Sequence, residues 1–332
     1  MSLEFQAPRR AVYRLKGVTP FHTGGVESGK SDQFHPSGFL GALRFFSVGL
    51  ARALGVEDFE TTVWGESEAN KHRSKSVALS WDVSKVELVK PRGKVSVPKN
   101  ENEESSWFFN QELKGELGLS VVEVHPLSQV HWELLQLAIQ LQTRFASWGA
   151  KDQFGLGVFE LAEASHQVDF SVFNHLPSSA RLEGCGLFEV GFFTLQVKKL
   201  YQADPAATGL ALRQYLRNQF RKTNEEKALR HRLFGALRGR EPSASAVQVS
   251  WVYSLAGQQW VRVWYALPHS KDFLEHHRGD LPRVREGLDQ VLTSPVSLAC
   301  GAEFLPASSL KWQLGQSPSA ILSQIQAVWE GV

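Results

Sequence analysis

Three side chains with acid–base chemistry stand close together near the N-terminus: His22, Asp32 and His35, within the stretch TPFHTGGVESGKSDQFHP (residues 19–36). A histidine with a lysine nearby can transfer the proton of a ribose 2′-hydroxyl, and a loop aspartate can orient that hydroxyl or a metal ion. The covalent chemistry these residues could perform is RNA cleavage. The glycine pair of the same loop, Gly24-Gly25 after Thr23, suits a non-covalent alternative. Glycine lets a polyanion come close, and the N-terminus of a following helix offers unpaired N–H groups to phosphate.

A second group of residues has charge rather than reactivity. Arg213, Arg217 and Arg221 recur every fourth residue, beside Leu212, Leu216 and Phe220 at the same spacing. On a helix this places a basic stripe next to an apolar one. Lys227, Arg230, His231, Arg232, Arg238 and Arg240 follow, and the earlier run KHRSK (Lys71, His72, Arg73, Lys75) occupies the corresponding place in the first half. A basic cluster at one position in both halves fits a surface that holds a phosphate backbone.

Other chemistries lack their residues. Neither GxGxxG between a strand and a helix nor GxxxxGK[ST] occurs, so no nucleotide cofactor is expected. The only cysteines are Cys185 and Cys300, which excludes a four-cysteine zinc site. His276 and His277 are adjacent, and neighbouring helical positions diverge by about 100°, so no metal site is expected there.

The elements that must position these residues repeat. Gly65 precedes Trp81 by 16 residues, and Gly235 precedes Trp251 by 16. Each block follows a helical pattern with a Leu-Arg pair, Leu43-Arg44 and Leu212-Arg213, and each helix follows a candidate strand, 10–18 and 187–198. The chain of 332 residues reads as a duplication, with an N-terminal domain over 1–168 and a C-terminal domain over 180–332.

Within the first half the expected order is strand 10–18, helix 38–54, strands near 75–90 and 119–125, helix 131–148 and a last strand. In helix 131–148, Leu134, Leu135, Ala138, Leu141 and Phe145 make one apolar face. The second half offers strand 187–198, helix 209–222, strands 246–254 and 258–266, a helix near 270–292 and a strand near 299–305, then a serine-capped C-terminal helix. The fold class read from this order is α+β, two tandem ferredoxin-like (RRM-like, β-α-β-β-α-β) domains with glycine-rich loops. Residues 85–120 exceed an ordinary hairpin connection and predict an inserted, projecting β-hairpin with a mobile tip near 98–106.

A net charge of +2 places any nucleic-acid function in the distribution of charge. Two cysteines, an N-terminus without a signal-peptide core and no apolar run of membrane-spanning length lead to the expectation of a cytoplasmic protein.

The runs GVTPFHTGG, PSGFLGALRFF, VWGES with SVALS, and SWGAKDQFGLGVFEL resemble the RAMP superfamily of CRISPR effector-complex proteins, in particular the first subunit of the type III-B (Cmr) complex. The resemblance spans about residues 10–161, departing at Phe45-Phe46, where the family commonly has tryptophan, and at Lys151-Asp152, where it has more arginine. It implies a subunit without catalytic role that binds CRISPR RNA and target RNA near the guide 3′ end and packs on other RAMP subunits. Thr23, Gly24, Gly25, Arg44, Lys151, Gly155 and Gly157 would then face RNA, and Arg52 of the same helix joins the basic residues named above.

Overall fold

The computed structural model describes residues 7–23, 33–68, 71–90, 92–100, 103–109, 112–149, 155–176, 186–220, 229–231, 233–235, 245–267 and 278–330. The first half runs β1 (Arg10–Gly17), α1 (Pro36–Ala53), β2 (Glu66–Glu68), β3 (Lys71–Arg73), β4 (Val77–Val89), β5 (Gly93–Asn100), β6 (Glu103–Phe109), β7 (Glu112–Glu123), α2 (Gln129–Phe145) and β8 (Phe159–Ala164). The second runs β9 (Val190–Lys199), α3 (Pro205–Asn218), β10 (Val247–Val249), β11 (Tyr253–Leu255), β12 (Gln258–Ala266), α4 (Leu281–Leu292), β13 (Val296–Ser297), β14 (Glu303–Trp312) and α5 (Pro318–Trp329).

Two mixed-order antiparallel sheets form, β4-β7-β1-β8 and β10-β12-β9-β14-β13 with β11 also on β12. The first strand of each half therefore lies inside its sheet, between the third and last long strands. Alternation sets the faces: in β1, Ala11, Tyr13 and Leu15 are buried while Arg10, Val12, Arg14 and Lys16 are exposed.

The layers stack in one order. The buried face of the first sheet packs on α1 and α2, where Tyr13 Oη donates to Gln136 Oε1 at 2.6 Å. The opposite side of that helical layer is covered by the second sheet: Phe46 of α1 and Phe145 of α2 both pack on Phe192 of β9, and Trp264 and Trp312 join the same cluster. The far face of the second sheet, with Phe193, Leu195, Val263 and Tyr265, packs on α3 and α4 through Leu212, Leu216, Val284 and Leu288. One apolar core thus contains residues of both halves.

Helix α2 is consequently buried on every side, from His131 through Thr143 and again at Phe145. Several of its polar groups find internal partners, as burial requires, while Gln136 Nε2 and Gln142 Oε1 have none among the described residues. Glu133, 1% exposed, accepts from Gln129 Nε2 at 2.9 Å and from Asp169 N at 3.0 Å, with His166 Nε2 at 2.8 Å. At the helix C-terminus Arg262 of β12 donates through Nη1 to Thr143 O at 2.7 Å and Ala146 O at 3.3 Å, while its Nε reaches Tyr253 Oη at 3.1 Å. A cation on terminal carbonyls answers both their unmet hydrogen bonds and the helix dipole.

Several expectations need correction. The inserted hairpin does not project. β5 and β6 pair with each other and lie against α3, burying Val95 and Val97 on Ala206, Ala207, Leu210, Trp251 and Leu156. The insertion carries its own apolar face, and its alternation supplied it with a place to dock. The third helix begins at Pro205 rather than 209, because the Asp204 carboxylate caps it by accepting from Ala206 N and Ala207 N. The last strand of the second sheet is β14, Glu303–Trp312, longer than the expected 299–305. Of the helix expected near 270–292, residues 270–277 lie outside the described residues, and α4 covers Leu281–Leu292.

Two stability measurements follow. Arg262→Met, which keeps the length of the side chain but strands two buried carbonyls, should lower unfolding free energy by about 3 kcal/mol, read as a lower urea midpoint at unchanged slope. Glu123 accepts from Arg9 Nε at 2.9 Å and Leu127 N at 2.7 Å, and the Arg9 hydrogen bonds hold its carboxyl below the usual glutamate range. Its stabilisation is complete above the ordinary glutamate pKa of about 4.3 and is lost as pH falls through the lower folded value. The Tm difference between wild type and Arg9→Gln should therefore shrink as pH is taken from neutrality below that range.

Candidate nucleic-acid interface

Three segments converge where β1 ends. Val18 N donates to Val158 O at 3.0 Å, Gly157 N to Pro20 O at 2.8 Å, Val158 N to Thr19 Oγ1 at 3.0 Å and Trp148 N to Gly157 O at 2.8 Å. Thr23 Oγ1 accepts from His35 N at 3.0 Å, which ties the loop to the start of α1. The fold thus brings together the 19–23 loop, the N-terminus of α1 and the turn before β8. Gly24, Gly25, Asp32 and Lys151 lie outside the described residues.

Glycine is required here by the chain's own packing. A Cβ at Gly157, φ +80°, would stand 1.9 Å from Trp148 O; at Gly155, φ +85°, it would stand 2.6 Å from the Trp251 ring. At Gly149 it would meet His22 O, and at Gly38 it would meet Thr23 O. The close approach these glycines permit is first of all segment to segment. His22 and Thr23 are buried, 4% and 1% exposed, so the histidine placed by sequence in a solvent-facing loop is an interior group. His35 is half-buried and ends the loop as the residue before α1.

The two halves treat their first helix differently. Pro36 and Pro205 each occupy the first turn, and His35 and Asp204 have the same backbone conformation, φ −110° and ψ 112°. Asp204 fills the N-terminus of α3 with its carboxylate, whereas His35 makes no side-chain cap on α1. At the N-terminus of α3 the amides meet a side-chain carboxylate; at that of α1, among the described residues, they do not, and there a glycine loop precedes the helix in sequence.

The basic residues divide into three sets. Arg44 and Arg52, two turns apart on α1, both donate to the Glu60 carboxylate at 2.9 Å. His72, Arg73 and Lys75 are exposed on and after β3, beyond the bend at Gly65, whose φ is +78°. Arg73 Nη1 reaches Thr62 Oγ1 at 3.4 Å, which places this turn beside the segment that carries Glu60. Lys71 stands in β3.

The third set departs from the expected stripe. Arg213 is 3% exposed, donates to Phe234 O, and has its guanidinium over the rings of Trp107 at 5.4 Å and Phe234 at 5.7 Å. Burial pulls its pKa down to about 10, so it remains charged at neutral pH. It is a core cation that joins the hairpin to the 233–234 turn, and the surface stripe loses its first member. Arg217 and Arg230 are half-buried, while Arg221 and Arg232 lie outside the described residues. Among the described residues no group of three or more His, Cys, Asp or Glu is arranged to hold a metal ion.

Sequence reasoning missed Arg92 and Asp204. Arg92 pairs with Asp204 and lies 5.2 Å from the Trp251 ring centroid, while Trp251 N donates to Gly155 O at 3.0 Å. The signal was present as KPRGK at residues 90–94, three cations around a proline and a glycine.

Two substitutions test this description. Gly157→Ala should destabilise the chain by about 2–4 kcal/mol, since it adds left-handed strain to a backbone clash. Asp204→Ala should cost about 1–2 kcal/mol for the lost cap, with both effects read from thermal unfolding.

No protein-family model matches the chain, and no curated protein does. Solved structures do. Cmr1 from Pyrococcus furiosus in its apo form is 16% identical, with a TM-score of 0.44 over 78% of this chain and 88% of that one. A chain of the type III-B Cmr-beta bound to cognate target RNA is 9% identical, with a TM-score of 0.48 over 85% of this chain and 100% of that one. A chain of Cmr-beta with cognate target RNA and AMPPnP, state 2, in the presence of ssDNA, is 10% identical, with a TM-score of 0.48 over 86% and 99%. These are among the solved chains to which this protein is similar.

Proposed function

We propose that the chain is a non-catalytic RNA-binding subunit of a type III CRISPR RNA-guided effector complex, built from two tandem ferredoxin-like domains over 1–168 and 180–332. It contacts CRISPR RNA and target RNA near the guide 3′ end, packs on other RAMP subunits, and serves antiviral defence in the cytoplasm. The observation that carries this reading is the meeting, at the end of β1, of three of the motifs of the sequence resemblance. Residues 19–23 of the first loop and the helix start at Pro36 share one loop cluster with the turn at Gly155–Gly157, more than a hundred residues further along the chain.

Among the described residues the helix start there has no side-chain cap, and the phosphate backbone is the ligand such a junction suits. Contacts of this kind do not read sequence. The strand order of each sheet, with the first strand between the third and the last, supports the ferredoxin-like reading of both halves. The burial of His22 counts against the nuclease alternative based on His22, Asp32 and His35.

The test is binding of the purified chain to end-labelled single-stranded RNA carrying a CRISPR repeat and spacer, with native and denaturing gels run from one tube at two salt concentrations. Binding should weaken with salt, with a log–log slope of about −0.7 per phosphate neutralised, and the RNA should be recovered at full length. Shortened RNA, abolished by His22→Ala or His35→Ala, would overturn the non-catalytic reading.

A further inference from the structure

The bend between β4 and β5 holds the sequence KPRGK at residues 90–94, and nothing above assigns it a role. Its two lysines and its arginine behave differently. Arg92 is anchored: it pairs with Asp204 at the start of α3 and lies over the Trp251 ring. Lys90 and Lys94 are exposed, and among the described residues neither lies within ion-pair distance of a carboxylate. Nearby, Lys114 pairs with Glu87 and Lys85 with Glu116, while the Glu112 carboxylate opposite Val89 is buried. Among the described residues the bend thus keeps two cations outside any ion pair, beside a third that is fixed.

Its position matters as much as its charge. Trp251, under Arg92, donates its backbone N–H to Gly155 O, and Val95, the residue after Lys94, belongs to the same apolar cluster as Leu156. Through Trp251 the bend is therefore linked to the glycine turn that closes the loop cluster at the end of β1. The hairpin has one buried face, Val95 and Val97, and alternation puts Lys94 on the other.

We infer that the KPRGK bend is a phosphate-binding element that continues the path of single-stranded RNA from the glycine loop cluster onto the outer side of the hairpin. Lys90 and Lys94 contact the backbone, and Arg92 is a positioning residue that holds the bend through Asp204 and Trp251. The inference rests on the RNA-binding reading above and names contacts within it. Lysine recognises phosphate as a point charge, so the element reads no bases.

The test uses the full chain and an unstructured, fluorescently labelled 30-nucleotide RNA, followed by anisotropy across a salt series. Lys90→Glu/Lys94→Glu should weaken binding at least about tenfold and reduce the salt slope by about 1.4, the value for two phosphates on a single strand. The control, Arg10→Glu/Arg283→Glu, makes the same change of charge at the opposite end of β1 and on α4, and should stay within about threefold of wild type. Thermal unfolding of both double variants establishes that they fold. Wild-type binding with equal losses in the two variants, or none in either, would overturn this inference and leave the RNA-binding reading standing. No binding by wild type, alone or restored to its complex, would overturn both.

Discussion

A helix with no solvent face is the constraint on which this structure depends. Helix α2 lies between the two sheets, so its polar side chains and its last carbonyls must find partners inside the protein. Each partner comes from a different element: Tyr13 from the first sheet, His166 and Asp169 from the segment after β8, and Arg262 from the second sheet. These bonds fix the order of the layers. A hydrophobic core alone would tolerate a helix rotated or slid along its axis; a glutamate and a helix terminus that need named donors do not.

The same stacking explains why two sheets of similar strand order carry different outer faces. In the first sheet, the side away from the helices shows Arg10, Val12, Arg14 and Lys16 along β1. In the second sheet the corresponding side carries Phe192, Trp264 and Trp312, because the first half's helices cover it. The two sheets therefore differ along one face. The insertion adds a strap that joins the glycine turn, α3 and Trp251 in a small third core.

Much of this was legible in the sequence. Some local signs recur in both halves: Gly65 and Gly235 both have positive φ, +78° and +75°, and Pro36 and Pro205 both open helices. What failed was burial. Helical spacing put Arg213 on a stripe with Arg217 and Arg221, but spacing shows only which residues share a face, and not what will cover it. The covering groups, Trp107 and the turn at Phe234, lie about a hundred and about twenty residues away in sequence. In α2 the apolar face was visible, while the burial of Glu133, Gln136, Gln140 and Gln142 was not. Tyr13 on Gln136 and His166 and Asp169 on Glu133 are long-range partners, and no local pattern announces them.

The shared helical layer also has a consequence in time. On a ribosome the first half emerges with α1 and α2 complete on one side only, and Trp312, which closes the other side, follows Phe145 by 167 residues. At about 5–20 residues per second this is an interval of roughly ten to thirty seconds during which an aromatic-rich helical surface faces water.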